Sequence, residues 1–223
     1  MVDFVQGSLI WISLTGFFLG LVLQVIRFLA LTQRKERIFL NLEVKKEAAP
    51  AGGGTGRIQG WITFLLRRTV LGTHPTVIIV SYLFHCLVFI VPLFLLGHNI
   101  LLRNSLGISL WSFPESVSDT LTILLLIGGV FFLLRRLFLS RVRAITTPYD
   151  YLVLMITLAP FLTGFLAYHQ CFEYRTVIFL HILAGEIMLL TLPFTRLGHM
   201  IFFFLYRFLI DGEYSFVPGT RTW

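Results

Sequence analysis

The chain has 223 residues, of which 57% are hydrophobic and 13% are charged. Soluble domains carry about 25% charged residues, so this composition excludes an ordinary soluble protein and predicts a membrane protein. The formal net charge of +7 suggests nucleic acid as a partner, but the basic residues cluster between apolar runs, a distribution that argues for a lipid bilayer and against nucleic acid.

Five apolar runs are long enough to cross a bilayer, which needs about 20 helical residues. They lie at about 8–26, 76–102, 118–138, 150–168 and 177–209. The predicted fold class is an all-α membrane protein, a five-helix transmembrane bundle that forms a single membrane domain over residues 1–223. Asp3 precedes the first run without a basic residue, and no A-x-A-like site follows. We therefore interpret the first run as an uncleaved helix.

The basic residues predict an orientation. The segment 27–74 between the first two runs contains nine Lys and Arg residues. With the N-terminus outside, 16 basic residues lie on the cytoplasmic side, and only Arg103 and Arg175 lie on the other. This asymmetry predicts that the N-terminus is outside and the C-terminus is cytoplasmic. The segment 27–74 is then either a solvated linker on anionic lipid or a docking surface for a cytoplasmic subunit.

The two cysteines exclude some cofactors. Cys86 falls within the second run and Cys171 in the loop before the fifth, at different depths, so we expect no disulfide between them. The sequence has no C-x-x-C-H motif, which excludes covalently attached c-type haem, and no cysteine cluster for an iron–sulfur centre.

Four of the six histidines fall within apolar runs at depths that pair. In the fifth run, His181 lies about 13 Å to the outer side of the centre and His199 about 13 Å to the inner side. In the second run, His98 lies about 13 Å outward and His85 about 6 Å inward. Two histidines on each of two helices are what stacked bis-histidine haem sites need. His169 and His74 lie at the ends of runs and are interpreted as interfacial or boundary residues.

Helix rotation complicates this pairing. His181 and His199 are 18 residues apart, which is about five turns, so they share a face. His85 and His98 are about 220° apart on an ideal helix, whereas His74 and His85 do share a face. Pro92 lies between His85 and His98 and can kink the helix. We follow the depths and predict His85, His98, His181 and His199 as ligands, with His74 in reserve. The alternatives are histidines in packing or in a proton relay, whereas the two levels are too far apart for one zinc ion.

Several segments resemble a known family, the gamma subunit of respiratory nitrate reductase. RRLFLSRVRAITTPYDYLVL at 135–154 is similar to its junction between the third and fourth helices. HILAGEIMLLTLPFTRLGHM at 181–200 is similar to its fifth helix, including the spacing of the histidines. SYLFHC at 81–86 and GH at 97–98 resemble its second helix, where the family's interval is shorter.

The resemblance implies a cytochrome b with two haem b groups in a bacterial inner membrane. Residue by residue, His98 and His181 would bind the outer haem, and His85 and His199 the inner one. Two departures bear on quinol chemistry. The segment between the first two helices is longer than in nitrate reductase, and residues 103–119 lack the lysine that the family's quinol pocket uses. These departures favour the relatives in transmembrane redox complexes of sulfate-reducing bacteria, where a periplasmic multihaem cytochrome c, other membrane subunits and a cytoplasmic iron–sulfur subunit are the partners.

Two further features have more than one interpretation. Arg135 and Arg136 lie where the propionates of an inner haem could emerge, or where arginines contact lipid phosphate. Glu186, which has no acidic counterpart in the family segment, is either a protonated carboxyl that handles protons, a hydrogen-bond partner of an imidazole, or part of a plain interhelical hydrogen bond.

Three functions remain open from the sequence. The first is an electron-transfer subunit whose haems carry electrons across the membrane. The second is a quinol dehydrogenase subunit of a nitrate-reductase-like complex, which would oxidise menaquinol to menaquinone. The third is a haem-free membrane anchor or transporter, against which stands the absence of discontinuous paired helices.

Overall fold

The computed structural model of the chain describes residues 8–39, 75–199 and 202. The longest helix, α1, runs over Ser8–Phe39. The second predicted run forms two helices, α2 (Pro75–Phe94) and α3 (Leu96–Leu106). Then follow α4 (Glu115–Phe138), the single turn α5 (Ser140–Arg143), α6 (Pro148–Tyr168) and α7 (Tyr174–Thr191). Two short 3₁₀ turns, Leu192–Phe194 and Arg196–Gly198, follow α7. The predicted reserve ligand His74 and residues 40–74 of the predicted cytoplasmic segment lie outside the described residues.

The described residues contain no strand, and five of their helical segments are long and apolar enough to cross a membrane. These spans are Leu9–Leu31, Pro75–Phe94, Glu115–Phe138, Pro148–Tyr168 and Tyr174–Phe194. Each exposes large apolar side chains, for example Leu19, Ile79, Ile127, Leu152 and Ile187. Such an exposed apolar surface is costly in water and matches lipid chains. For the described residues, the predictions of an all-helical fold and of five helices long and apolar enough to span a membrane are therefore confirmed.

The described residues fall into two compact units, and the division lies within α7, after His181. In the first unit, α1 packs against the 3₁₀ turn at Leu192–Phe194. The contact is close because Gly20 of α1 lies against the ring of Pro193, where a Cβ would meet Cγ at 2.7 Å. The two glycines of α1, Gly16 and Gly20, thus serve helix packing, as a G-x-x-x-G spacing indicates in membrane helices.

The second unit holds α2 to α6 and the start of α7, and α4 lies between α2 and α6. Two adjacent glycines in α4 allow this packing: Gly128 faces Phe84 of α2, and Gly129 faces Leu158 of α6. Leu125 of α4, one turn earlier, is fully buried. Small side chains at these positions let the helix backbones approach closely, which favours dispersion contacts in a bilayer.

The start of α6 is fixed by its own sequence, TTPYD at 146–150. Thr147 is the N-cap, and it forms a reciprocal capping box with Asp150. Pro148 occupies the first turn, where its missing N–H has no intrahelical partner to lose. Such a box satisfies two of the amide donors that a helix N-terminus leaves open.

Candidate haem-ligand site

The imidazole rings of His98 and His181 lie next to each other within the second unit. Their centroids are 5.9 Å apart and the ring planes differ by 13°. Metal–imidazole bonds of about 2 Å on both sides of one ion place two ring centres about 6 Å apart. The distance between the ring centres is therefore close to that expected for two imidazoles bound to one metal ion.

His98 reaches this position because the second span is broken. The helix ends at Phe94, Leu95 adopts an extended conformation (φ −73°, ψ 130°), and a new helix begins at Leu96. The Nδ1–H of His98 donates to the carbonyl oxygen of Pro92 at 2.9 Å. An unbroken helix would point His85 and His98 about 220° apart. The break removes that constraint, so the rotation that disfavoured His98 on an ideal helix does not apply.

Asn99, next to His98, holds the break together. Its amide group donates to the carbonyl oxygens of Leu93 (3.1 Å) and Leu95 (3.2 Å), and its Oδ1 accepts from the N–H of Leu110 (2.9 Å). The side chain is only 3% exposed. One buried amide thus ties the end of α2 to the loop that follows α3. It gives a partner to the Leu93 carbonyl and the Leu110 N–H, whereas the Leu95 carbonyl also accepts from the backbone N–H of Asn99 at 3.1 Å.

His181 is positioned against α6 by a second proline carbonyl. Its Nδ1–H donates to the carbonyl oxygen of Pro160 at 2.8 Å. Gly164, one turn further along α6, makes room for the ring, since a Cβ there would lie 3.0 Å from Cε1 and 3.1 Å from Nδ1. The hydrogen bond to the Pro160 carbonyl oxygen fixes the tautomer of this imidazole. Together with the close approach to Gly164, it also fixes the orientation of the ring.

The other two predicted ligands carry the same tautomer. In His85, Nδ1 donates to the carbonyl oxygen of Ser81 at 2.7 Å, and in His199 it donates to that of Arg196 at 2.6 Å. A carbonyl oxygen only accepts, so each Nδ1 carries a proton, and Nε2 is the metal-binding nitrogen of the neutral ring. His85 and His199 belong to different units, and their pairing on one haem stays a prediction.

His169 behaves differently from these four histidines. Its Nε2 lies 2.9 Å from Oδ1 of Asp119, and its ring packs on Phe165 with centroids 4.3 Å apart. The nitrogen that a haem iron would take is thus used in a surface contact with a carboxylate. This agrees with the interpretation of His169 as an interfacial residue.

The predicted propionate ligands lie near the end of α4. The guanidinium of Arg136 is 3.9 Å from Oδ1 of Asp150, and the hydroxyl of Tyr151 donates to the Arg136 carbonyl oxygen at 3.3 Å. Arg136 therefore links α4 to the start of α6. A role of Arg135 and Arg136 in binding propionates stays a prediction.

Glu186 in α7 is 4% exposed, and neither carboxylate oxygen has a hydrogen-bond partner in the described part of the chain. The sequence left open a bond from this carboxyl to an imidazole or across helices, and neither is found among the described residues. Within the same residues, no group of three or more His, Cys, Asp and Glu side chains is arranged to hold a metal ion. Cys86 and Cys171 are free thiols.

Sequence analysis named Pro92 only as a kink, and it did not identify the Pro92 carbonyl, Asn99, Gly164 or Pro160 as parts of the histidine site. A signal for two of them exists in the sequence, since Pro92 precedes the polar triplet GHN at 97–99 within an otherwise apolar run. A proline followed by Gly, His and Asn is a pattern that favours a helix break. Nothing in the sequence alone pairs Gly164 with His181.

No family model matches the chain. A protein of Nitratidesulfovibrio vulgaris (strain Hildenborough) is 37% identical to it over 228 aligned residues, an alignment that covers all of this chain and 97% of the relative. Identity at this level over the full length of both chains is a family relationship. The chain therefore belongs to the same protein family as this Nitratidesulfovibrio vulgaris protein.

Proposed function

We propose that the chain is a membrane cytochrome b subunit that carries electrons across the bacterial inner membrane through two bis-histidine haem b groups. The observation that carries the proposal is the pair His98 and His181, two near-parallel imidazoles at 5.9 Å. In each ring, the Nδ1–H donates to the carbonyl oxygen of a proline, at 2.9 Å in His98 and 2.8 Å in His181. Such a hydrogen bond at the ring nitrogen that does not bind the metal generally orients metal-binding histidines.

The second haem of the proposal rests on His85 and His199. His85 and His199 share the Nδ1-to-carbonyl bond with the first pair, and the resemblance to the nitrate reductase gamma subunit assigns them to an inner haem. Arg135 and Arg136 are the proposed partners of its propionates. Two haems at different depths would form a path for electrons through the apolar layer.

Bis-histidine coordination fills both axial positions of a haem iron, so the proposed chemistry is one-electron transfer and not oxygen activation. The chain's own residues hold the imidazoles, exclude water and tune each potential through the hydrogen bonds at Nδ1. In the proposed complex, the cytoplasmic side meets an iron–sulfur subunit and the outer side meets a multihaem cytochrome c. The distribution of basic residues, 16 against two, supports this orientation with the N-terminus outside.

The test is a haem count on the purified full-length chain by pyridine haemochrome and by the reduced-minus-oxidised optical spectrum. We expect two haem b per chain, falling to one in His98→Ala and in His181→Ala. His169→Ala is the matched control, because the Nε2 of His169 faces Asp119, and it should keep both haems. A purified chain without haem, or one that loses none on replacing His98 or His181, would overturn the proposal.

The source of the electrons is tested on the same preparation. Addition of a menaquinol analogue to the isolated, oxidised chain measures whether quinol reduces the haems directly. Rapid reduction would assign the chain to the quinol dehydrogenase subunits, with menaquinol as the substrate and menaquinone as the product. No reduction would leave the multihaem cytochrome as the electron donor, as the missing lysine in residues 103–119 favours.

A further inference from the structure

Two buried polar side chains in the first unit lack hydrogen-bond partners. Ser13 of α1 has 0% of its surface exposed, and Glu186 of α7 has 4%. The Ser13 hydroxyl and both Glu186 carboxylate oxygens make no hydrogen bond in the described part of the chain. Buried polar groups are nearly always paired, so three orphaned oxygens in one unit need an explanation.

The packing of α1 on residues 182–199 brings these two side chains to the same level. A Cβ on Gly16 would lie 2.8 Å from Cδ2 of Leu190, and one on Gly20 would lie 2.7 Å from Cγ of Pro193. Facing residues are therefore offset by 173–174 positions, and both segments run in the same direction. The same offset sets Ser13 beside residues 186 and 187.

The helical periodicity agrees with this register. Ser13 precedes Gly16 by three residues, as Glu186 precedes Leu190 by four, and residues three or four apart share a face of a helix. Gln24 extends the same face of α1, where its Nε2 donates to the carbonyl oxygen of Pro193 at 2.9 Å. The register and the periodicity therefore place Ser13 and Glu186 at the same level of α1 and α7, on the sides that these segments turn toward each other.

In the described part of the chain, neither oxygen of Glu186 accepts a hydrogen bond and neither salt bridge involves it. Arg27 is the only charged residue of the α1 positions 9–31, and it lies fourteen residues from Ser13, about 21 Å along the helix. An unpaired carboxylate in an apolar layer costs several kcal/mol, whereas the neutral acid costs much less and gains an O–H donor. The Ser13 hydroxyl supplies both a donor and an acceptor for such an acid.

We propose that Ser13 and Glu186 form an internal proton-binding site, in which Glu186 is a neutral carboxylic acid and the Ser13 hydroxyl is its hydrogen-bond partner, directly or through one bound water. The site has two oxygens that can hold the proton and one hydroxyl that can donate to the C=O of the acid or accept from its O–H. Three otherwise unsatisfied polar atoms are also what a buried water molecule needs. The inference concerns α1 and α7 alone and does not depend on the haem proposal.

Infrared spectroscopy of the full-length chain at neutral pH tests the protonation state. A protonated carboxyl has a C=O stretch separate from that of carboxylates, and the band moves to lower frequency in D₂O. We expect such a band, lost in Glu186→Gln and shifted to higher frequency in Ser13→Ala, because the C=O loses a hydrogen bond. A spectrum unchanged by Glu186→Gln would overturn the neutral acid, and a band unmoved by Ser13→Ala would overturn the pairing.

A second measurement needs no variant, in case Glu186→Gln does not fold. Dicyclohexylcarbodiimide enters apolar regions and reacts with the protonated acid: the O–H proton goes to a carbodiimide nitrogen and the carboxyl oxygen bonds to the central carbon. Peptide mass spectrometry of the treated, unaltered chain should show the adduct at Glu186. Labelling of other carboxyl groups without Glu186 would contradict the proposal.

Discussion

His98 and His181 lie with their ring centroids 5.9 Å apart and their ring planes within 13° of parallel, and each ring is held by the carbonyl oxygen of a proline. The bonds are 2.9 Å to Pro92 and 2.8 Å to Pro160. The two rings are thus set by backbone atoms of two different helices and not by flexible side chains. A site whose ligands are oriented in this way loses little conformational entropy when it binds a metal.

Gly164→Ala should weaken the hold on His181. The added methyl would lie 3.0 Å from Cε1 and 3.1 Å from Nδ1 of the ring, which forces the ring away from the Pro160 carbonyl. Loss of the hydrogen bond that orients a metal-binding histidine typically weakens metal binding by about 10–100-fold. We expect lower retention of one haem, measured by pyridine haemochrome after purification in competing apo-myoglobin.

Gly97→Ala is the matched control for this change, since a Cβ at Gly97 meets no atom within 4 Å. It should retain as much haem as the unaltered chain. Equal haem retention in Gly164→Ala and Gly97→Ala would argue against His181 as a ligand held in the geometry seen here.

Asn99→Ala should change the orientation of the His98 imidazole. The substitution removes two donors to the carbonyls of Leu93 and Leu95 and the acceptor for the N–H of Leu110. The Leu95 carbonyl keeps its bond from the backbone N–H of Asn99, whereas the part-buried Leu93 carbonyl and Leu110 N–H lose a partner, at a cost of about 1–3 kcal/mol for each group that stays unpaired. We expect a lower melting temperature in detergent together with partial loss of one haem.

Asn104→Ala serves as the comparison, because Asn104 lies on the same helix and is exposed. It should alter neither quantity. If Asn99→Ala lowers the melting temperature and leaves the haem content unchanged, the amide only stabilises the helix break and does not position His98.

Hydropathy alone predicts the five spans, because the bilayer dictates their length and excludes other backbone conformations. The depth of His181 and His98 follows from the same count of residues. What the sequence does not contain is the direction in which His98 points, because this depends on a complete break at Leu95 and not on a kink at Pro92. The contact between His181 and Gly164 could not be predicted either, because it is set by which helices pack together.

Replacing the two glycines of α1, Gly16 and Gly20, with alanine should destabilise the first unit to different degrees. A methyl on Gly20 would meet the rigid ring of Pro193 at 2.7 Å from Cγ, and one on Gly16 would meet the mobile end of Leu190 at 2.8 Å from Cδ2. Overpacking against atoms that cannot move costs about 1–3 kcal/mol. We expect Gly20→Ala to lower the melting temperature more than Gly16→Ala does.

Gly185→Ala, where the new methyl meets nothing within 4 Å, should leave the melting temperature unchanged or raise it slightly, because alanine has the higher helix propensity. The series is measured in one detergent by differential scanning fluorimetry. Equal effects at Gly20 and Gly185 would mean that α1 does not pack on the turn at Leu192–Phe194 in the folded protein.

Glu173→Gln should destabilise the start of α7 at neutral pH. Glu173 directly precedes the helix, and its carboxylate accepts from the N–H groups of Arg175 at 3.0 Å and Thr176 at 2.6 Å. Hydrogen bonds from the side chain and the backbone of Thr176 lower the pKa of Glu173 below its ordinary value of 4.5. A carboxylate at a helix N-terminus also interacts favourably with the helix dipole.

The pH dependence of this effect has a definite sign. Because folding lowers the pKa of Glu173, the stabilisation is fully present above pH 4.5, the ordinary value for this carboxyl, and is lost as the pH falls through the folded-state pKa. The difference in melting temperature between the unaltered chain and Glu173→Gln should therefore be constant near neutral pH and shrink in acid. If the difference in melting temperature stays unchanged well below the folded-state pKa, the charge of Glu173 contributes nothing to stability. The glutamine side chain would then destabilise the helix only because it fits the site less well.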